Sequence, residues 1–145
     1  GADLRFPHHA FEAAQAEAAT GVTPFARAWM HVGTVQLAGE KMAKSTGNLV
    51  FVADLVGRTS GPAVRLLLLD RRYDAAWDHT DAGLDAAATK LEQLHAAAGR
   101  TGSSDAAQAA VLERLADDLD VPGALEVALA EGGQAARDLI AVLAL

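Results

Sequence analysis

The chain has no cysteine, so no disulfide can brace it and no thiolate of its own can ligate a metal. Aromatic residues make up only 5% of it, and no apolar run approaches the roughly 20 residues needed to cross a bilayer. No basic segment leads into an apolar core at the start, so no targeting signal is read and a cytoplasmic location is the default expectation. Positive charge is scarce as well, with 12 Lys and Arg against 19 Asp and Glu and a formal net charge of −7. The deficit is uneven. Residues 1 to 60 hold five bases (Arg5, Arg27, Lys41, Lys44, Arg58) against five acids, whereas residues 61 to 145 hold seven against fourteen. An acidic second half is poorly suited to gripping a phosphate backbone over a broad surface, so nucleic acid is not an expected partner.

What is present is alanine-rich text of 51% hydrophobic and 21% charged residues, the balance of a folded, helix-rich chain of one ordinary domain or two small units. Pro7 and Gly21 bracket a helix predicted over His8 to Ala19. Ala28 to Val32 and Thr34 to Leu37 read as two short strands around Gly33, and a short helix is expected through Leu55 to Gly57. From Pro62 onward the pattern is helical, with further helices near 80 to 98, 105 to 118, 122 to 131 and 133 to 144. Leu84, Leu91 and Leu94 share one face, and so do Val111, Leu112, Leu115 and Leu119, the pattern of a small antiparallel bundle. The expected fold is thus an α/β remnant over 1-60 followed by an all-α helical bundle over 61-145, mostly α overall.

Three constellations could carry chemistry. Gly39 to Asn48, reading GEKMAKSTGN, sets Lys41 and Lys44 three residues apart with Ser45 and Thr46 beside them, between glycines that allow a loop to close. Ammonium and hydroxyl groups so placed can wrap a polyphosphate; the plain alternative is a solvated hairpin loop with exposed lysines. His8 and Glu12 lie four apart, so on a helix an imidazole and a carboxylate can converge on one metal ion, or simply hydrogen-bond at a helix start. Trp29-Met30-His31-Val32-Gly33 precedes the loop and reads equally as a buried strand with a satisfied histidine.

Lys41-Met42-Ala43-Lys44-Ser45 resembles the KMSKS signature of class I aminoacyl-tRNA synthetases, with alanine for the first serine. Asp3-Leu4-Arg5-Phe6-Pro7-His8-His9 with Glu12, then Ala18-Ala19-Thr20-Gly21, then Trp29 to Gly33, resemble the cysteinyl-tRNA synthetase family in order and spacing. The similarity continues through Arg65-Leu66 and Tyr73 into Ala116 to Pro122. The resemblance implies a nucleotide-binding domain of Rossmann type in residues 1-60, with ATP held by Lys41, Met42, Lys44, Ser45, His31 and Gly33. It makes Lys44 and Lys41 the catalytic cations and His8 and Glu12 zinc ligands; His9 receives no ligand role. Two further family ligands are cysteines, and the His-x-Gly-His signature is absent, since Thr34 follows Gly33. The chain therefore reads as the carboxy-terminal part of a longer enzyme, inactive by itself, with half its zinc site and half its ATP site supplied by a missing N-terminal part. A fragment of that kind is also expected to self-associate through an exposed apolar edge.

Two branches share these motifs. The cysteinyl-tRNA synthetases charge tRNA; the mycothiol cysteine ligases activate cysteine as its adenylate and pass it to the amine of glucosaminyl-inositol. Only twenty residues follow Leu125, whereas a synthetase continues into an anticodon-reading region, and the acidic helical half lacks the basic residues a tRNA stem would call for. Arg71-Arg72-Tyr73-Asp74 replaces the usual His-Tyr-Arg and so carries over no family role, while Ala10 and Phe11 stand where the synthetases have Glu-Asn, a difference on the side of the ligase. The resemblance therefore favours the ligase over the synthetase, with a non-catalytic helical module as a third reading.

Overall fold

Side-chain caps and glycine breaks lay out the helices of the second half. In the computed structural model, which describes residues 1–145, α3 (Gly61–Leu69) starts at Ser60, whose hydroxyl accepts the Ala63 N–H, with Pro62 in the first turn. Thr80 caps α4 (Asp81–Ala98), Ser104 caps α5 (Asp105–Ala116), and Asp120 caps α6 (Val121–Glu131), each accepting a backbone N–H three residues on. The last helix, α7 (Gly133–Leu143), has no side-chain cap. Its first residue has φ of 55°, and a Cβ there would lie 1.4 Å from the Gly102 carbonyl oxygen, so only glycine lets the 99–104 loop pass.

These helices enclose the main core. Leu66, Leu91, Leu94, Val111, Leu125 and Leu139 come from five different helices and are all buried in one cluster. A smaller cluster of Leu55, Val64, Leu67, Leu84 and Ala87 joins α2 (Val52–Arg58) to the faces of α3 and α4, with Val50 and Trp77 packed on it. The α4 positions Leu84, Ala87, Leu91, Leu94 and Ala97 are all buried, as spacings of three and four on one helical stripe require. In α5 the buried line is Ala107 and Val111. Leu112, one residue round the helix, is 56% exposed, and Leu119 lies in the following turn with φ of 59° and is 49% exposed. The predicted shared face of those four residues is therefore corrected to Val111, with Leu115 packed at the cluster's edge.

The first third is built differently. Phe6 is extended, an irregular turn carries His8 and His9, and the regular helix α1 runs Ala10–Thr20, closed by Gly21 at φ of 71°. No residue of α1 is buried. The sheet has three short strands, β1 (Val35–Leu37), β2 (Glu40–Lys41) and β3 (Trp77–Asp78), in the order β2-β1-β3. The central strand pairs antiparallel with β2 and parallel with β3. The strand predicted over Ala28 to Val32 does not form. Apolar residues there have no neighbouring strand to supply ladder hydrogen bonds, and Trp29, Met30 and Val32 stay about half exposed at 48%, 55% and 48%. The molecule is mostly helical with a small mixed sheet, and its buried residues all lie from Leu55 onward.

Candidate functional site

The lysine loop grows out of the β1–β2 hairpin. Ala38 and Gly39 both take positive φ, 53° and 80°, as the tightest two-residue hairpin turn requires, and the Asp78 carboxylate accepts the Gly39 N–H at 2.7 Å. After β2, Lys44–Thr46 form one helical turn ended by Gly47 at φ of 68°. Asn48 closes the loop. Its Oδ1 accepts the Ala43 N–H at 2.8 Å and lies 2.6 Å from the Thr46 hydroxyl, while its Nδ2 donates to the Lys41 carbonyl at 3.2 Å. Nothing in the spacing of the lysines pointed to Asn48; its type, which favours side-chain-to-backbone turns, was the available signal.

The two lysines differ. Lys41 Nζ donates to Asp3 Oδ2 at 2.5 Å, and this contact holds the Asp3 carboxyl below the ordinary carboxylate range. That ion pair ties the first turn of the chain to the loop, as does the Ala2 N–H on the Val32 carbonyl at 2.8 Å. Lys44 is exposed and enters no ion pair. Ser45 is exposed beside it, while the half-buried Met42 turns its sulfur toward the Val50 N–H at 3.4 Å.

A second cluster lies at the start of α1. His9 Nδ1 and His31 Nε2 are 3.1 Å apart, and Trp29 stacks on both, with ring centroids 5.8 Å from His9 and 6.0 Å from His31. Arg5, Ala10 and Ala13 complete the lining of an open cavity of about 460 Å³. Removal from water, then the charges of Arg5 and His9, push the His31 imidazole below its usual pKa. His9, assigned no ligand role from sequence, is thus the partner of His31. Sequence showed two adjacent histidines but not which one turns inward.

Gly33 is explained by the chain's own backbone. Its N–H donates to the Tyr73 carbonyl at 2.8 Å, and a Cβ would stand 2.0 Å from the Ala75 carbonyl oxygen. The close approach expected of a nucleotide is met there by the 73–75 turn. His8 and Glu12 are both exposed, and no group of three or more His, Cys, Asp or Glu is placed to hold a metal ion.

A family model described as the tRNA synthetases class I (C) catalytic domain matches residues 1–89, the segment that carries both clusters. The chain belongs to this class I synthetase family. Among curated relatives, an L-cysteine:1D-myo-inositol 2-amino-2-deoxy-alpha-D-glucopyranoside ligase from Acidothermus cellulolyticus is 55% identical over 128 residues, 86% of this chain and 32% of that protein. A ligase of the same name from Thermobispora bispora is 45% identical over 99% of this chain and 38% of its own length. A cysteine–tRNA ligase from Parvibaculum lavamentivorans is 44% identical over 88% of the chain and 28% of its length. The chain spans about a third of the length of the curated relatives it matches. No helix of this class I synthetase family member is long and apolar enough to cross a membrane.

Proposed function

We propose that this chain is part of an ATP-dependent cysteine ligase of the cytoplasm. In the reaction an oxygen of the cysteine carboxylate attacks the α-phosphorus of ATP, the bond to the β-phosphate breaks, and pyrophosphate leaves cysteinyl adenylate behind. The amine of glucosaminyl-inositol then attacks the acyl carbon, giving an amide and releasing AMP. The observation that carries this reading is the similarity to two L-cysteine:1D-myo-inositol 2-amino-2-deoxy-alpha-D-glucopyranoside ligases, whose reaction matches what the lysine loop can do chemically.

Within it, Lys44 holds the leaving pyrophosphate. An unpaired ammonium on a loop already closed by Asn48 stabilises negative charge as it develops and needs little rearrangement to do so. Lys41 assists by exchanging Asp3 for a phosphate oxygen, the exposed Ser45 hydroxyl is free to hydrogen-bond phosphate, and Met42 holds the loop from within through its contact with Val50. His31 faces the adenylate from the other cluster, and Gly33, its N–H held by the Tyr73 carbonyl, fixes the backbone two residues on. His8 and Glu12 are two donors toward zinc, but the chain's own donor set does not fit the ion: four ligands are usual and no third stands with this pair. A zinc ion here needs donors from outside the chain. The remaining two thirds of a full-length ligase is the partner that completes both sites, and the isolated chain is expected to be inactive.

The experiment is cysteine-dependent pyrophosphate exchange in the full-length parent. Lys44→Ala is expected to lower the rate about 100-fold or more, the scale for losing one preplaced charge-stabilising group; an unchanged rate rejects the role. The second reading, a cysteinyl-tRNA synthetase, is favoured by the 44% identity to a cysteine–tRNA ligase. Supplying the parent with glucosaminyl-inositol or with tRNA as acceptor separates the two.

A further inference from the structure

The segment Arg71-Arg72-Tyr73-Asp74 is where the sheet meets the helices. Its neighbours are tied to α3 and α4: Asp70 pairs with Lys90, and the Arg71 guanidinium lies 3.7 Å over the Trp77 ring while donating to the Leu67 carbonyl. Beyond α4 the segment is held by one residue. Asp118, in the turn between α5 and α6, accepts the Tyr73 hydroxyl at 2.9 Å and Arg72 Nη2 at 3.0 Å, while Arg72 also clasps Asp74 at 3.0 and 3.2 Å. These are the only side-chain hydrogen bonds from residues 70 to 78 to the helices after α4.

Asp118 sits at φ of 50°, a left-handed conformation that Asp and Asn tolerate better than other side-chain-bearing residues. The turn it grips then carries Gly33: the Tyr73 carbonyl accepts the Gly33 N–H, and the Ala75 carbonyl fills the space beside the Gly33 α-carbon. Two residues before Gly33 stands His31, paired with His9 and stacked on Trp29. The Trp77 N–H on the Thr34 carbonyl at 3.1 Å continues the same attachment into β1.

We propose that Asp118 is a positioning residue, which through Tyr73 and Arg72 locks the 73–75 turn against Gly33 and so lets the helical half set the place of His31 in its cavity. Exposed ion pairs of this kind add little to global stability, so the effect is local order at Gly33 rather than survival of the fold. The inference stands on the geometry of the chain and needs no ATP or cysteine, so it can fail without the ligase reading failing.

The test uses the 145-residue chain with Asp118→Asn and Tyr73→Phe, both of which leave backbone preferences nearly intact. Hydrogen exchange at the Gly33 amide is expected to speed up about ten-fold or more in each, while core amides such as Leu94 and Leu125 keep their protection. The chain has a single tyrosine, so its ultraviolet titration reports this contact alone. Asp118 holds the Tyr73 hydroxyl above its ordinary pKa, and Asp118→Asn should lower it. In both variants the His31 imidazole, observed by NMR, should titrate closer to the ordinary histidine range as its surroundings open to water. Arg58→Ala, which breaks the comparably exposed Arg58–Asp81 pair between α2 and α4, should leave Gly33 unmoved. Gly33 exchange unchanged in both clamp variants, changed only in step with Leu125, or equally changed by Arg58→Ala, overturns the proposal.

Discussion

Protonating His31 places a positive charge near Arg5 and against His9, in a spot partly shielded from water. The folded chain therefore binds that proton less readily than the unfolded chain does, and linkage fixes the sign: the unfolded state carries more protons as pH falls. The site's contribution is complete above about pH 6.5, the unperturbed value, and is lost progressively below it. Thermal unfolding at pH 7.5 and pH 5 should show a larger drop in Tm for the native chain than for His31→Gln; equal drops contradict the assignment. The carboxyls of Asp3, Asp74 and Asp81 are likewise held below their ordinary range, by their partners Lys41, Arg72 and Arg58, and their contribution is lost only as pH falls below the ordinary carboxylate value of 3.8. At this scale the sequence showed which residue types were available. Whether Lys41 or Lys44 was already paired depended on Asp3, 38 residues away from Lys41, and no local pattern encodes that meeting.

Elements were legible where one periodic stripe ran between glycine or proline breaks. Ser60, Thr80, Ser104 and Asp120 mark the starts of α3 to α6, and the stripe through Leu84, Leu91 and Leu94 was read correctly because three- and four-residue spacing fixes one face of a long helix. The α5 reading was less exact, since Val111 and Leu112 are adjacent and only the neighbouring helices decide which one turns inward. Leu94→Ala, at a fully buried site, is expected to cost about 2–5 kcal/mol in chemical denaturation. Leu112→Ala should stay within about 0.5 kcal/mol, as exposed positions do. Matching losses at the two sites would contradict the packing described for α5. Strand prediction failed for Ala28 to Val32 and missed β3 because strands of two or three residues exist only through their partners.

Across the whole molecule, burial is lopsided. No residue before Leu55 is buried, only Val50 among them packs on a core cluster, and they expose Phe6 at 73%, Phe11 at 56%, Phe25 at 51% and Phe51 at 59%. So much uncovered aromatic surface is unusual on a monomer. The isolated chain should bind a hydrophobic dye through these side chains. Phe6→Ser with Phe51→Ser should reduce that binding at least about two-fold while leaving helicity unchanged; undiminished dye binding would show that the surface is not responsible. Sequence by itself determined the family, the helices of the second half, and the residue types at both clusters, because local periodicity and short motifs are written in neighbouring positions. Only the tertiary structure decided that His9 rather than His8 meets His31, that Asn48 closes the lysine loop, and that Asp118 holds the turn under Gly33. Apart from Asn48, these contacts join residues far apart along the chain, and packing alone brings them together.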